Sequence, residues 1–316
     1  MANRSGALEQ PAAARERSSS LWGDAWRRLL RNRLAVAGGV VVLGLFFLLF
    51  FGPAVAPYPY QEQHLKEVVA NGNNPIAPMW FSGPFFLGTD DLGRDMLSRM
   101  LDGAQISMTV ALVVQAVVLF IGLPIGAAAA WYGGRVDTFL MRFTDVIYAF
   151  PDLLFIILLS VTFRDTPIGS ALDGVLLVFI AIGVVAWVGM ARLVRGQLLS
   201  LKETEFVEAA RAIGVSDFRI VTRHLLPNAM GPMIVAVTLG IPSAILAEAT
   251  LAYLGIGARP PRASWGKLIF DGQSYINAEP HMVLVPAVVI ALALISFTFL
   301  GDGLRDALDP KLKGKQ

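Results

Sequence analysis

Cysteine is absent from the 316 residues. That excludes a disulfide framework, a thiol nucleophile and any Cys-based metal site. Histidine is nearly as scarce: His64, His224 and His281 stand far apart, and none belongs to an HxxxH pair. Charge is thin, at 16% Asp, Glu, Lys and Arg, and the formal net charge is only +2. A phosphate-cradling GxxxxGK(S/T) run is missing as well. Gly266-Lys267 lacks both the upstream Gly and the following Ser or Thr, so a nucleotide motor of that kind is not written into the chain. With neither Cys nor clustered His, enzyme chemistry would fall to carboxylates, and no carboxylate pair sits within an apolar run.

What is abundant is apolar surface. Hydrophobic residues make up 55% of the chain and the mean hydropathy is +0.60, values of an integral membrane protein rather than a soluble domain. Residues 1–20 have no periodic pattern and read as a disordered tail, not a cleavable signal peptide, since no apolar core follows Met1 directly. From Leu21 to Arg33, Leu21, Trp22, Trp26, Leu29 and Leu30 recur at helical spacing beside Arg27, Arg28, Arg31 and Arg33. That pattern suits either an interfacial basic helix or an extension of the first span. Six spans follow: Leu34–Phe51, Ile106–Tyr132, about Val146–Phe163 with a helix beginning near Val136, Gly174–Ala191, Met233–Ala252 and Val283–Leu300. Each has at least the ~18–20 residues needed to cross a hydrocarbon core, the second span being longer with outlying residues that belong to the interface. Gly122 and Gly126 flank Pro124 as a small-xxx-small pair that permits close helix approach. The expected division is 1–33 tail and interfacial helix, 34–105 first span and outer loop, 106–300 core, and 301–316 tail. Nineteen of the 26 basic residues lie on segments that share a side with the N-terminus, which places both termini in the cytoplasm.

Between the fourth and fifth spans lies a polar stretch, 192–231, on that cytoplasmic side. Its central run reads LKETEFVEAARAIGVSDFRIVTRHLLPN, Leu201 to Asn228. The spacing predicts a short helix holding Glu203, Glu205, Glu208 and Arg211. A turn follows at Gly214, the residue type for a backbone leaving the helical region. A second helix, capped by Ser216 or Asp217, is expected to close at Pro227. On shape alone, a solvated loop and a docking handle are both open.

Motifs narrow the choice. Glu208-Ala209-Ala210, three residues, Gly214, nine residues, then His224-Leu225-Leu226-Pro227 resembles the EAA loop of ABC importer permeases, with His224 where the pattern has Ile. Three further stretches are similar to the "C" permeases of dipeptide, oligopeptide and nickel importers: Leu87–Arg99 (LGTDDLGRDMLSR), Ala56-Pro57-Tyr58, and Gly301–Lys311 (GDGLRDALDPK). The likeness runs from about Trp26 to Lys313. It implies an all-α polytopic membrane protein of six transmembrane helices, with a type I importer (MetI-like) core formed by helices two to six. It implies no enzyme activity in this chain, with ATP and Mg bound by partner subunits. The implied partners are a second permease, two ATP-binding subunits, an extracytoplasmic binding protein and membrane lipid, with no nucleic acid. By resemblance, Glu208, Ala209, Ala210, Gly214, Leu226 and Pro227 would meet the ATPase. The chemistry agrees: two alanines let a partner surface approach, and Glu208 offers it a carboxylate. Glu208 can also pair with Arg211 in its own helix, for a few tenths of a kcal/mol.

The route itself is less marked. Glu248 is ionisable within an apolar span, so it either lines the path or is satisfied locally by Tyr253 or water. Asp145 and Asp152 straddle Pro151; helix capping, pairing with Arg142 and substrate contact are the readings open for them. Arg94 with Asp90, Asp91 and Asp95 reads as a local network or a receiving surface for a binding protein. A secondary transporter would need repeated halves and a midplane ion site, and no internal repeat is evident. The cargo is unspecified: peptides, nickel chelates and other small solutes all fit such a chain.

Overall fold

The computed structural model describes residues 21–309; the 1–20 tail and the residues after 309 lie outside it. Thirteen α-helices order the described residues. The amphipathic helix α1 (Leu21–Arg31) is separate from the first span, α2 (Arg33–Val55). Asn32 divides them: its side-chain oxygen accepts from the N–H groups of Leu34 and Ala35 at 3.1 and 3.2 Å, satisfying donors that a new helix leaves open. Ala25 and Leu29 of α1 pack on Ala35 and Ala307, while Trp26 and Leu30 remain exposed.

The short α3 (Leu65–Ala70) lies in the outer loop. The second span, α4 (Met96–Tyr132), begins ten residues earlier than expected. Asp95 starts it, accepting the Ser98 N–H at 2.7 Å, so the polar run before it forms the helix entrance rather than a separate loop. The third span is not continuous. α5 (Gly134–Tyr148) and α6 (Asp152–Phe163) meet at 79° across Ala149–Pro151, because Pro151 restricts the residue before it and cannot continue the i→i−4 ladder. The chain then makes α7 (Pro167–Ser170) and the fourth span, α8 (Val175–Lys202), which runs eleven residues beyond the expected end.

α9 (Glu205–Ala212) and α10 (Asp217–Ile220) form the polar elbow. The helix after the turn does not close at Pro227. It passes through a π-type turn at Val221–Leu225 into the fifth span, α11 (Leu226–Tyr253). Proline at the start of a segment loses no bond it would otherwise make, and the wider turn absorbs its ring. The 192–231 stretch is therefore the end of one span, a short elbow and the start of the next. α12 (Trp265–Gly272) sits in the outer loop. The last span, α13 (His281–Leu308), takes in residues expected to be tail.

Five of these helices are long and apolar enough to cross a membrane, and the bent α5–α6 pair passes the same test when taken together, as a broken span or a re-entrant loop. α4 and α8 pack most intimately. A Cβ at Gly122 would stand 2.8 Å from the Trp187 carbonyl oxygen, and one at Gly126 2.3 Å from that of Ala191. The glycine pair thus brings two backbones into contact, as its spacing predicts. A continuous core runs from Val42 and Leu45 through Val110, Val114, Val178 and Ile182 to Ile245 and Phe297.

Candidate functional site

Two places in this bundle have functional geometry: the elbow at one end, and a cavity at mid-height.

The elbow is anchored on one side and bare on the other. Val207 and Ala210 of α9, with Ile220 and Leu225 beyond the turn, are buried in the main core beside Ala127, Ala130 and Trp131. α9 ends in a Schellman turn: the Val215 N–H donates to the Ala210 carbonyl at 3.0 Å, and the Gly214 N–H to that of Arg211 at 2.9 Å. Gly214 has φ +78, and nothing stands within 4 Å of where its Cβ would be. Its conformation, not crowding, calls for glycine. Ser216 is the N-cap of the next helix, but neither it nor Asp217 supplies a side-chain cap bond. Glu203 terminates α8 and so falls outside α9. Cations tie the elbow to the end of α4: Lys202 Nζ donates to the Ala130 and Trp131 carbonyls at 3.1 and 2.6 Å, and the Arg211 guanidinium lies 5.0 Å from the Trp131 ring centre. Arg211 is thus spent on the tryptophan, and no ion pair joins it to Glu208.

The other face points outward. Glu208, Ala209 and Gly214 are exposed, as are Ile213 at 81% and Phe218 at 79%, with Phe206 beside them. Of the six residues singled out from the motif, Glu208, Ala209 and Gly214 share this face. Ala210 is buried against the bundle, Leu226 is half-buried and Pro227 is exposed further along. Sequence reasoning missed Phe206, Ile213 and Phe218. The signal was available: α9 and α10 carry more apolar residues than one buried stripe can hold.

The cavity holds about 420 Å³ and is lined by α4, α6, α8 and α11. Its walls are mostly aliphatic, including Val114, Val118, Ile156, Ile182 and Ala244. Polar side chains are few: Gln115, Asp152 and Ser243. Asp152 is the first residue of α6, so the break in the third span delivers it to the cavity. Asp145 does not pair with Arg142. It takes the Arg192 guanidinium across to α8 at 2.8 Å, while Arg195 clasps Asp137 at 2.5 Å through two bonds.

Glu248 is not part of that lining. It is 2% exposed and accepts from the Ser107 hydroxyl at 3.0 Å, with the Ser264 side chain alongside. Ser107 in turn receives the Trp265 N–H at 3.3 Å. The carboxyl group therefore staples α11 to α4 and the outer loop, with serine rather than Tyr253 as its partner. The outer network also proves larger than expected: Asp90 receives Arg94 at 2.7 Å and Arg99, and Arg99 reaches Asp271 at 3.5 Å, which Lys267 also contacts.

Comparison with known proteins places this geometry. Residues 122–314 match the family of binding-protein-dependent transport system inner membrane components. Residues 20–75 match the N-terminal transmembrane domain of oligopeptide transport permease C. The chain is 42% identical to the dipeptide transport system permease protein DppC of Bacillus subtilis, over 94% of this chain and 88% of that one. It is 40% identical to the oligopeptide transport system permease protein OppC of Escherichia coli, over 92% of each. Among solved structures, an inward-facing MetNI methionine ABC transporter has a chain that aligns with a TM-score of 0.54 at 20% identity, covering 68% of this chain and 98% of that one. That likeness is one of fold.

Proposed function

Because the chain belongs to the binding-protein-dependent transport system inner membrane components, we propose that it is the "C"-type permease subunit of an ATP-driven peptide importer. With a second permease it walls the route for dipeptides or oligopeptides handed over by an extracytoplasmic binding protein. Two ATPase subunits drive it from the cytoplasm by gripping the elbow. Both termini lie on that cytoplasmic side.

The observation that carries this reading is the two-faced elbow. Val207 and Ala210 fasten it to the spans, and its outer face gathers Phe206, Glu208, Ala209, Ile213 and Phe218 around the Gly214 turn. Apolar side chains at such exposure, ringed by carboxylates and arginines, suit a partner groove. A push there reaches the cavity, because α8 and α11 both line it and both run into the elbow. Transport is then a shift between states open to one side or the other, biased by the partner's nucleotide state.

The test is purification of the assembled transporter. Wild type should bring the ATPase with it and take up peptide on ATP addition. A Glu208→Lys, Phe218→Asp double variant should insert and accumulate but lose both the ATPase and uptake. Wild-type uptake by that variant, or protease access to Arg211 from outside intact cells, would overturn the docking role. Uptake of nickel chelates but of no peptide would shift the cargo within the same family.

A further inference from the structure

The peptide reading does not say how the route treats charge, and one side chain speaks to that. Among the described residues, Asp152 is the only ionisable one lining the cavity. It stands where α5 and α6 part at 79°, roughly halfway along the 134–163 stretch. The other lining residues lie near the middles of their helices: Val114 and Gln115 in α4, Val185 and Gly189 in α8, Gly240 and Ser243 in α11. An acidic group at a broken helix and at that depth is costly to keep unless it faces water or a ligand.

No described residue supplies Asp152 with a countercharge. Arg192 and Arg195, on the facing helix, are held by Asp145 and Asp137. Nor does any hydrogen bond from another described residue reach its carboxylate. Gln115 and Ser243, the other polar lining groups, likewise have side chains without a hydrogen-bond partner among the described residues. Three uncommitted polar groups thus line an otherwise aliphatic chamber: one carboxylate, and two side chains that can each donate or accept. Asp152 is exposed, so its charge faces the open side of the chamber and acts there within a Debye length, roughly 8–10 Å. First-turn stabilisation of α6 by the helix dipole accounts for an acidic residue at this position. It does not account for the open chamber in front of it.

We infer that Asp152 is a charge-selecting residue of the translocation cavity, which favours passage of cargo bearing ammonium groups over cargo bearing carboxylates. Gln115 and Ser243 complete the polar side of the chamber and hydrogen-bond the peptide backbone in transit. This rests on the peptide-importer reading, and it assigns to this chain a selectivity separate from that of the binding protein.

The experiment uses the complete transporter in proteoliposomes, with its binding protein and ATP. It compares uptake of Lys-Ala-Lys with Glu-Ala-Glu in wild type, Asp152→Asn, Asp152→Lys and Asp152→Glu. The binding protein is common to all, so its own preference cancels when each variant's ratio is divided by that of wild type. The Lys-Ala-Lys to Glu-Ala-Glu ratio should fall about tenfold in Asp152→Asn, equivalent to about 1.4 kcal/mol. It should fall further in Asp152→Lys and stay near wild type in Asp152→Glu. An equal fall for both peptides would assign Asp152 a purely structural role and overturn the inference, as would an unchanged ratio. If wild type carries neither peptide while its ATPase remains bound, the peptide reading itself fails, which is a different result.

Discussion

The outer entrance and the inner elbow are both rich in charge, yet they spend it in opposite ways. At the entrance, Asp90, Arg94 and Arg99 are buried and joined to one another, with Asp271 and Lys267 closing the set. Asp90 also accepts the backbone N–H groups of Leu92 and Arg94, each at 2.9 Å, so its lone pairs are used internally. At the elbow, Glu205, Glu208, Arg219 and Arg223 stand exposed and form no ion pair with another described residue. Charge that is buried and matched fixes the shape of its own chain; charge that is exposed and unmatched is available to another. The entrance thus spends its charge within the fold, and the elbow leaves its charge open.

That contrast can be broken or sharpened by substitution, taking unfolding stability in detergent as the common scale. Arg99→Met should cost most, about 2–3 kcal/mol, because the buried Asp90 carboxylate loses one of its two guanidinium partners and keeps only Arg94; a loss under about 1 kcal/mol would show that the entrance network is not structural. Gly214→Ala comes next, at about 1–2 kcal/mol, the penalty for an L side chain at φ +78. Since its Cβ would meet nothing, a larger loss would point to a contact beyond the turn. Arg192→Ala should cost at most about 1 kcal/mol, because its pair with Asp145 is half exposed at both ends. Glu208→Gln should move unfolding least, within about 0.5 kcal/mol, while measurably weakening ATPase association. A Glu208→Gln protein that melts early would place Glu208 with the internal charges and dissolve the contrast.

Much of this was legible in the residues. Gly214 announced its turn because φ > 0 is a backbone demand that glycine meets without strain, and the Gly122/Gly126 pair announced a close helix crossing. Asn32 settled whether α1 is its own helix, but only through bonds that a sequence leaves open, since Asn is also common in loops. Other features depend on what stands across the fold. Asp145 meets Arg192, 47 positions away, rather than Arg142 on its own helix. Glu248 meets Ser107, 141 positions away. Pro151 accounts for a break between helices, but the 79° of that break, and with it the delivery of Asp152 to a chamber, has no mark in the sequence. Pro227 read as a stop because the π-type turn that accommodates it has no compositional mark.

One consequence follows from that uninterrupted passage. From Asp217 to Tyr253 the chain is a single column of 37 residues, about 55 Å long at 1.5 Å per residue. Where it passes α4, Gly240 lies so close to Gln115 that an added Cβ would sit 2.5 Å from the amide oxygen. A column touching its neighbour there has a fulcrum. Any tilt of the column about that contact carries its two ends in opposite senses.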